Sequence, residues 1–148
     1  MSDHRDPPTP GGGLVRLDAQ VTLGFGALTA ATHLLAESLD LVYAVVSSLL
    51  FAAGIGLFLL GFWNGIQRSR IEDVSLAGLL AVDASFVTAA ARNRLWSINV
   101  AQIVIAVSAA SLRPFTQQAF GLLVPMFGVG IAALWGSRYA AFHPRTDL

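Results

Sequence analysis

The stretch LVYAVVSSLLFAAGIGLFLLGFW, residues 41–63, decides the fold of this chain. It runs for 23 residues without a charged side chain. As an α-helix it would measure about 34 Å, which is enough to cross a hydrocarbon core of about 30 Å with some tilt. An uncharged run of this length predicts a membrane-spanning helix.

Three further stretches have the composition of spans, and they lie at residues 17–36, 95–112 and 117–136. Pro125 lies inside the last of them and should kink that helix, because proline lacks the N–H that a helix needs. Together the four stretches predict an all-α polytopic membrane protein, a bundle of four transmembrane helices, in which 41–63 is the second span.

The remaining residues divide into a tail and a loop. Residues 1–13 are rich in proline and glycine and predict a disordered tail, which leaves 14–148 as the membrane domain. We assign 64–94 to a cytoplasmic loop. Its part 74–91 is mostly apolar, but Asp83 near the middle would cost about 2.5–3.5 kcal/mol inside a bilayer. A surface helix, a re-entrant segment and a fifth span are therefore the alternatives for 74–91.

Arginine placement predicts the orientation of the bundle. All nine cationic side chains are arginines. With both termini in the cytoplasm, Arg113 alone is outside and eight arginines are inside, as the positive-inside rule expects: Arg5, Arg16, Arg68, Arg70, Arg92, Arg94, Arg138 and Arg145. The same arrangement puts Trp63, Trp96 and Trp135 at inner span ends. We therefore predict a multi-pass protein of the cytoplasmic (inner) membrane.

The composition excludes several chemistries. The chain has no lysine and no cysteine, so it lacks Schiff-base lysines, thiolate nucleophiles, zinc–thiolate sites and iron–sulfur clusters. Its net charge is zero, which gives no electrostatic footprint for nucleic acid. The three histidines have no metal-binding spacing, and no nucleophile–base set stands out. We therefore predict no catalytic residue, cofactor or metal, and no enzyme.

A polar stripe in the first span is the most informative pattern for function. Its members recur every three or four residues and so share one helix face: Asp18, Thr22, Gly26, Thr29, His33 and Glu37. One interpretation is proton relay or cation binding across the membrane. The favoured interpretation is helix packing, with the two terminal carboxylates near the interfaces, where charges are cheap.

Other residues are predicted to act in packing and at the membrane interface. Asn99 and Gln102 share a face of the third span and should hydrogen-bond to a neighbouring helix. Small residues that allow close helix approach are Gly61, Gly65, Gly128, Ala132 and Gly136. The residues predicted to contact lipid or the interface are Arg68, Arg70, Arg92, Arg94, Arg113, Trp63, Trp96 and Trp135.

The C-terminal part of the chain carries a family resemblance. Residues 113–145, RPFTQQAFGLLVPMFGVGIAALWGSRYAAFHPR, together with the loop sequence RSRIEDVSLAGLL, resemble uncharacterised short four-helix integral membrane proteins of high-GC actinobacteria. The resemblance covers about residues 61–145. It implies the topology but no activity, because that group has no known one.

From these patterns we expect a non-enzymatic accessory or scaffold subunit of a membrane complex. Its partners would be the lipid bilayer and either another membrane protein or further copies of this chain. The alternative is an oligomeric transporter or channel for a small solute or protons that uses the polar stripe of the first span.

Overall fold

The computed structural model describes residues 10–34, 39–83, 85 and 87–144. Within these residues the regular structure is helical, apart from one antiparallel bridge between Glu72 and Pro144. The elements in chain order are α1 (Gly12–Leu34), α2 (Asp40–Arg68), α3 (Leu76–Leu79), α4 (Ala89–Leu112), a 3-10 helix (Gln117–Leu123) and α5 (Pro125–Tyr139).

Three helical segments are long and apolar enough to cross a membrane. They are α2, α4 and the stretch Gln117–Tyr139, and they correspond to the predicted second, third and fourth spans. The helix α1 covers most of the predicted first span and has 23 residues, but it is not apolar enough to join them. Its polar stripe lowers its mean hydropathy, so the first span stays a prediction.

The apolar segment 74–91 does not form one long helix in the described part of the chain. It contains the single turn α3, followed by irregular backbone at the described residues 80–83, 85, 87 and 88, before α4 begins at Ala89. Asp83 lies in this irregular part, where its Oδ1 accepts hydrogen bonds from the Ser85 N–H at 2.9 Å and the Ser85 hydroxyl at 2.8 Å. These bonds favour the ionised form and lower the pKa of Asp83.

The helix α5 lies at the centre of the fold. It packs most extensively against α2 and also contacts α1, α3 and α4, whereas α1 packs mainly on α4. Ten of the 15 residues of α5 are buried. Phe127, Ile131 and Trp135 of this helix form the core together with Ala91 and Leu95 of α4. A helix surrounded on several sides is expected to be apolar all round, as α5 is.

Close backbone contact between α2 and α5 depends on glycines. A Cβ atom on Gly54 would lie 2.6 Å from the backbone of Met126 and Phe127, and one on Gly61 would lie 2.6 Å from Ala133. A Cβ on Gly130 would collide with the Gly54 carbonyl oxygen. Only hydrogen fits at these positions, so the predicted packing role of Gly61 extends to a longer glycine seam that also includes Gly54 and Gly130.

Pro125 separates two kinds of helix. The chain approaches it as a 3-10 helix, and α5 begins at Pro125 itself. Proline is well tolerated in the first turn because the N–H it lacks has no helical partner there. The predicted kink therefore takes the form of a change of helix type within the stretch Gln117–Tyr139.

Candidate functional site

Four polar side chains from α1 and α4 meet in the interior and form what we call the inner polar network: Asp18, Thr22, Asn99 and Gln102. The Gln102 Nε2 donates to Asp18 Oδ1 and to Thr22 Oγ1, each at 2.8 Å. The Asn99 Nδ2 donates to the Pro125 carbonyl oxygen at 3.0 Å. The amides of the third predicted span thus make the hydrogen bonds to neighbouring helices that their spacing suggested.

The glycine at position 128 makes room for this network. A Cβ atom there would collide with the Asn99 amide nitrogen and lie 2.8 Å from Gln102 Oε1. The two α4 amides therefore rest directly against the backbone of α5. Gly128 acts in packing, as its spacing predicts, and the groups it accommodates are polar.

Asp18 is buried inside the protein. Its side chain is fully buried, and it contacts Gln102, which lies eight residues beyond Arg94 along α4. That separation corresponds to about 12 Å along a helix. Asp18 is therefore enclosed by protein, and its position near the membrane interface stays a prediction. The helix α1 brings it between the helices, where its charge would be costly unless paired.

The threonine hydroxyls of the polar stripe donate to their own helix. Thr22 donates to the Asp18 carbonyl oxygen at 2.8 Å, and Thr29 donates to that of Phe25 at 2.9 Å. A hydroxyl that bonds back to a carbonyl four residues earlier has no proton left for a neighbour on the other side. The stripe is consequently not a continuous chain of proton donors in this conformation.

His33 is separate from the inner polar network. It lies 15 residues beyond Asp18, about 22 Å along the helix, so the two groups cannot act as one unit. Its Nδ1 is 2.9 Å from the Thr29 carbonyl oxygen, and its side chain is half-buried beside α4. Glu37, the last member of the stripe, lies outside the described residues.

A second group, the outer polar network, joins the opposite helix ends and consists of Thr32, Asp40, Arg113 and Gln118. The Gln118 Nε2 is 3.4 Å from both Thr32 Oγ1 and Asp40 Oδ1. Arg113 Nη1 lies 4.0 Å from Asp40 Oδ2. The sequence predicted Arg113 as a lipid or interface residue and gave Gln118 no role, because a single glutamine at a helix start has no distinguishing pattern.

Two residues predicted for the lipid interface make hydrogen bonds within the protein, and one of them, Trp135, is buried there. Arg68 pairs with Glu72 at 2.6 Å and donates to the carbonyl oxygens of Ser137 and Ala140 at 3.0 and 3.2 Å. Trp135 is only 3% exposed, and its Nε1 donates to the Pro10 carbonyl oxygen at 3.0 Å. Trp135 is buried because it belongs to the central helix α5, and Arg68 contacts protein because the end of α2 lies beside the end of α5.

The other predicted interface residues keep at least partial exposure. Trp63, Arg70 and Arg94 are exposed, and Trp96, Arg92 and Arg113 are half-buried. All five predicted packing residues are buried. Gly65 and Gly136 enclose Leu79 of α3, because a Cβ on either would collide with that residue. The predicted loop is therefore anchored to the bundle through α3.

The described residues contain no group of three or more histidine or acidic side chains that could hold a metal ion. Comparison with protein families, with curated proteins and with solved structures finds no match to this chain. The function is therefore inferred from the helices and the two polar networks.

Proposed function

We propose that this chain is a small non-enzymatic membrane protein with four spans and both termini in the cytoplasm. It acts as an accessory or scaffold subunit of a complex in the cytoplasmic membrane. The proposal rests on the inner polar network, whose side chains bond one helix to another. Its hydrogen bonds hold α1 to α4, and Asp18 is fully buried rather than facing a water-filled path.

The outward surface supports the same proposal. In the most apolar 18-residue part of α2, only 17% of the residues are buried within the chain, and in that of α4 only 28% are. Both helices therefore have wide apolar faces that lipid or a partner helix would cover. The resemblance of residues 61–145 to short actinobacterial membrane proteins fits this proposal, although it adds no activity.

The inclusion of α1 as a span rests on its contacts. A buried Asp18 bonded to the middle of α4 places α1 beside a helix that is apolar enough to cross the membrane. The arginine distribution then favours an inner location for the N-terminal ends of α1 and α4.

The topology predicts a clear labelling pattern. The chain has no cysteine, so single-cysteine variants need no further change. Thr116→Cys, between α4 and the 3-10 helix, should react with an impermeant maleimide added to intact cells. Ser85→Cys should react only after lysis. Labelling of Ser85→Cys from outside would contradict the proposed orientation.

The accessory role is tested by purification from native membranes in a mild detergent, followed by mass spectrometry of the retained proteins. We expect a defined larger membrane protein to be retained, and we expect the purified chain to produce no flux in liposomes. A chain that purifies only as itself and conducts protons would contradict the accessory role.

One observation favours the alternative transporter function. Asp18 Oδ2 and Gln102 Oε1 are buried and have no hydrogen-bond partner in the described structure. A carboxyl group with one unoccupied oxygen could bind a proton or a cation. In that case Asp18→Asn, which preserves shape, would abolish flux, whereas Gln20→Asn at an exposed position of α1 would leave it unchanged.

A further inference from the structure

A groove between the N-terminal parts of α1 and α4 carries one arginine from each helix. Its volume is about 350 Å³, and its lining residues are Val15, Arg16, Ala19, Arg94, Ser97 and Ile98. Both arginines are exposed. Among the described residues, the ion pairs involve Arg68 and Arg113 rather than these two. The groove thus has two positive charges that no described carboxylate neutralises.

This lining suits a phosphate group. A guanidinium presents a planar fork of N–H donors that matches phosphate oxygens in pairs, and two forks from different helices can bind one phosphate from two sides. The Ser97 hydroxyl already donates to the Arg94 carbonyl oxygen at 3.0 Å, so the arginines supply the available donors. Val15 and Ile98 add apolar surface beside them.

Apolar surface continues from the groove along both helices. Leu23 lies on the groove-lining face of α1 and is exposed, and so is Val104 of α4, which lines the next groove between the same two helices. A free phosphate would contact the arginines alone, whereas a phospholipid would also place its acyl chains along these side chains. We propose that the groove binds the phosphate group of an anionic phospholipid, and, given the proposed topology, that it does so in the cytoplasmic leaflet.

The opposite end of the same helix pair provides a comparison within the molecule. A groove of about 340 Å³ lies there between α1 and α4, and no arginine lines it. Its lining is mostly apolar, with His33, Thr29 and Ser108 as the polar members. The two arginines are therefore found in only one of these two grooves between α1 and α4.

The test measures lipid binding to the purified full chain by native mass spectrometry in a nonionic detergent. Phosphatidylglycerol and phosphatidylcholine are titrated separately, and the anionic lipid should bind more tightly. The double variant Arg16→Gln/Arg94→Gln should bind phosphatidylglycerol about thirtyfold more weakly, or roughly fivefold for each arginine. Both positions are exposed, so the fold should persist.

The matched control is Arg138→Gln, compared with Arg94→Gln, because each removes one exposed arginine and only Arg94 lines the groove. It should bind like the wild type, whereas Arg16→Lys/Arg94→Lys should be intermediate because lysine keeps the charge but loses the fork. Equal weakening in Arg94→Gln and Arg138→Gln would overturn the proposal in favour of diffuse attraction. Binding of inorganic phosphate as tightly as phosphatidylglycerol would overturn it in favour of a soluble anion.

The lipid-binding proposal and the proposed function can fail independently of each other. Lipid binding in detergent does not depend on orientation, so reversed maleimide labelling would contradict the topology and the leaflet while the groove itself could still bind lipid. Correct labelling together with equal binding of both lipids would overturn the lipid site alone. If the glutamine pair fails to purify, the lysine pair and Arg94→Gln provide the same comparison.

Discussion

Gly54→Ala is expected to lower the free energy of unfolding in detergent by about 1–3 kcal/mol, the range typical of overpacked sites. The added methyl group would lie 2.6 Å from backbone atoms of Met126 and Phe127. Backbone atoms cannot rotate away as a side-chain end can, so α2 and α5 must separate. These two helices form the most extensive interface of the fold, which makes the loss large. Thermal unfolding of the purified chain measures it.

Gly56→Ala is the matched control. It lies two residues further along α2, and a Cβ atom there would meet nothing within 4 Å. The same change should leave stability unchanged or raise it slightly, because alanine favours a helix over glycine. Equal stability of the two variants would contradict the close approach of α2 and α5.

Gln102→Leu is expected to destabilise the protein by about 1–3 kcal/mol, because it leaves the buried Asp18 carboxyl without its amide donor. The leucine also removes the hydrogen bond to Thr22. The loss can be followed in the same thermal assay. The double variant Asp18→Ala/Gln102→Leu should lose less than the sum of the two single variants, because residues in one network are coupled.

Gln20→Leu makes the same chemical change at an exposed position of α1 and should have little effect on stability. Additive losses for Asp18→Ala and Gln102→Leu would contradict a direct bond between the two side chains. If the wild type produces flux in liposomes and Asp18→Asn loses it without losing stability, Asp18 acts in transport rather than in packing.

The inner polar network and the glycine seam have different consequences for function. The seam fixes α2 against α5 by shape alone, whereas the inner polar network attaches α1 through polar groups that are costly to separate in an apolar surrounding. A helix held in this way is well suited to a stable scaffold. Within this network the buried Asp18 Oδ2 and Gln102 Oε1 have no hydrogen-bond partner, and the alternative function would have to use them.

Local sequence was sufficient to predict the three apolar helical segments and to say which residues of one helix share a face. An uncharged run of 23 residues predicts α2, and the polar spacing in α1 predicts that Asp18 and Thr22 share a face. Both follow from the rise and period of an α-helix, which depend on neighbouring residues alone. The effect of Pro125 on its helix is equally local.

Only the tertiary structure decided which residues of different helices contact each other. The bond between Asp18 and Gln102 joins residues 84 positions apart, and Arg68 reaches the end of α5. Helical period says which residues share a face but not which face each one meets, since that is decided by the packing of all helices together. For this reason Trp135, which has the spacing of an interfacial tryptophan, is buried: α5 lies at the centre of the bundle.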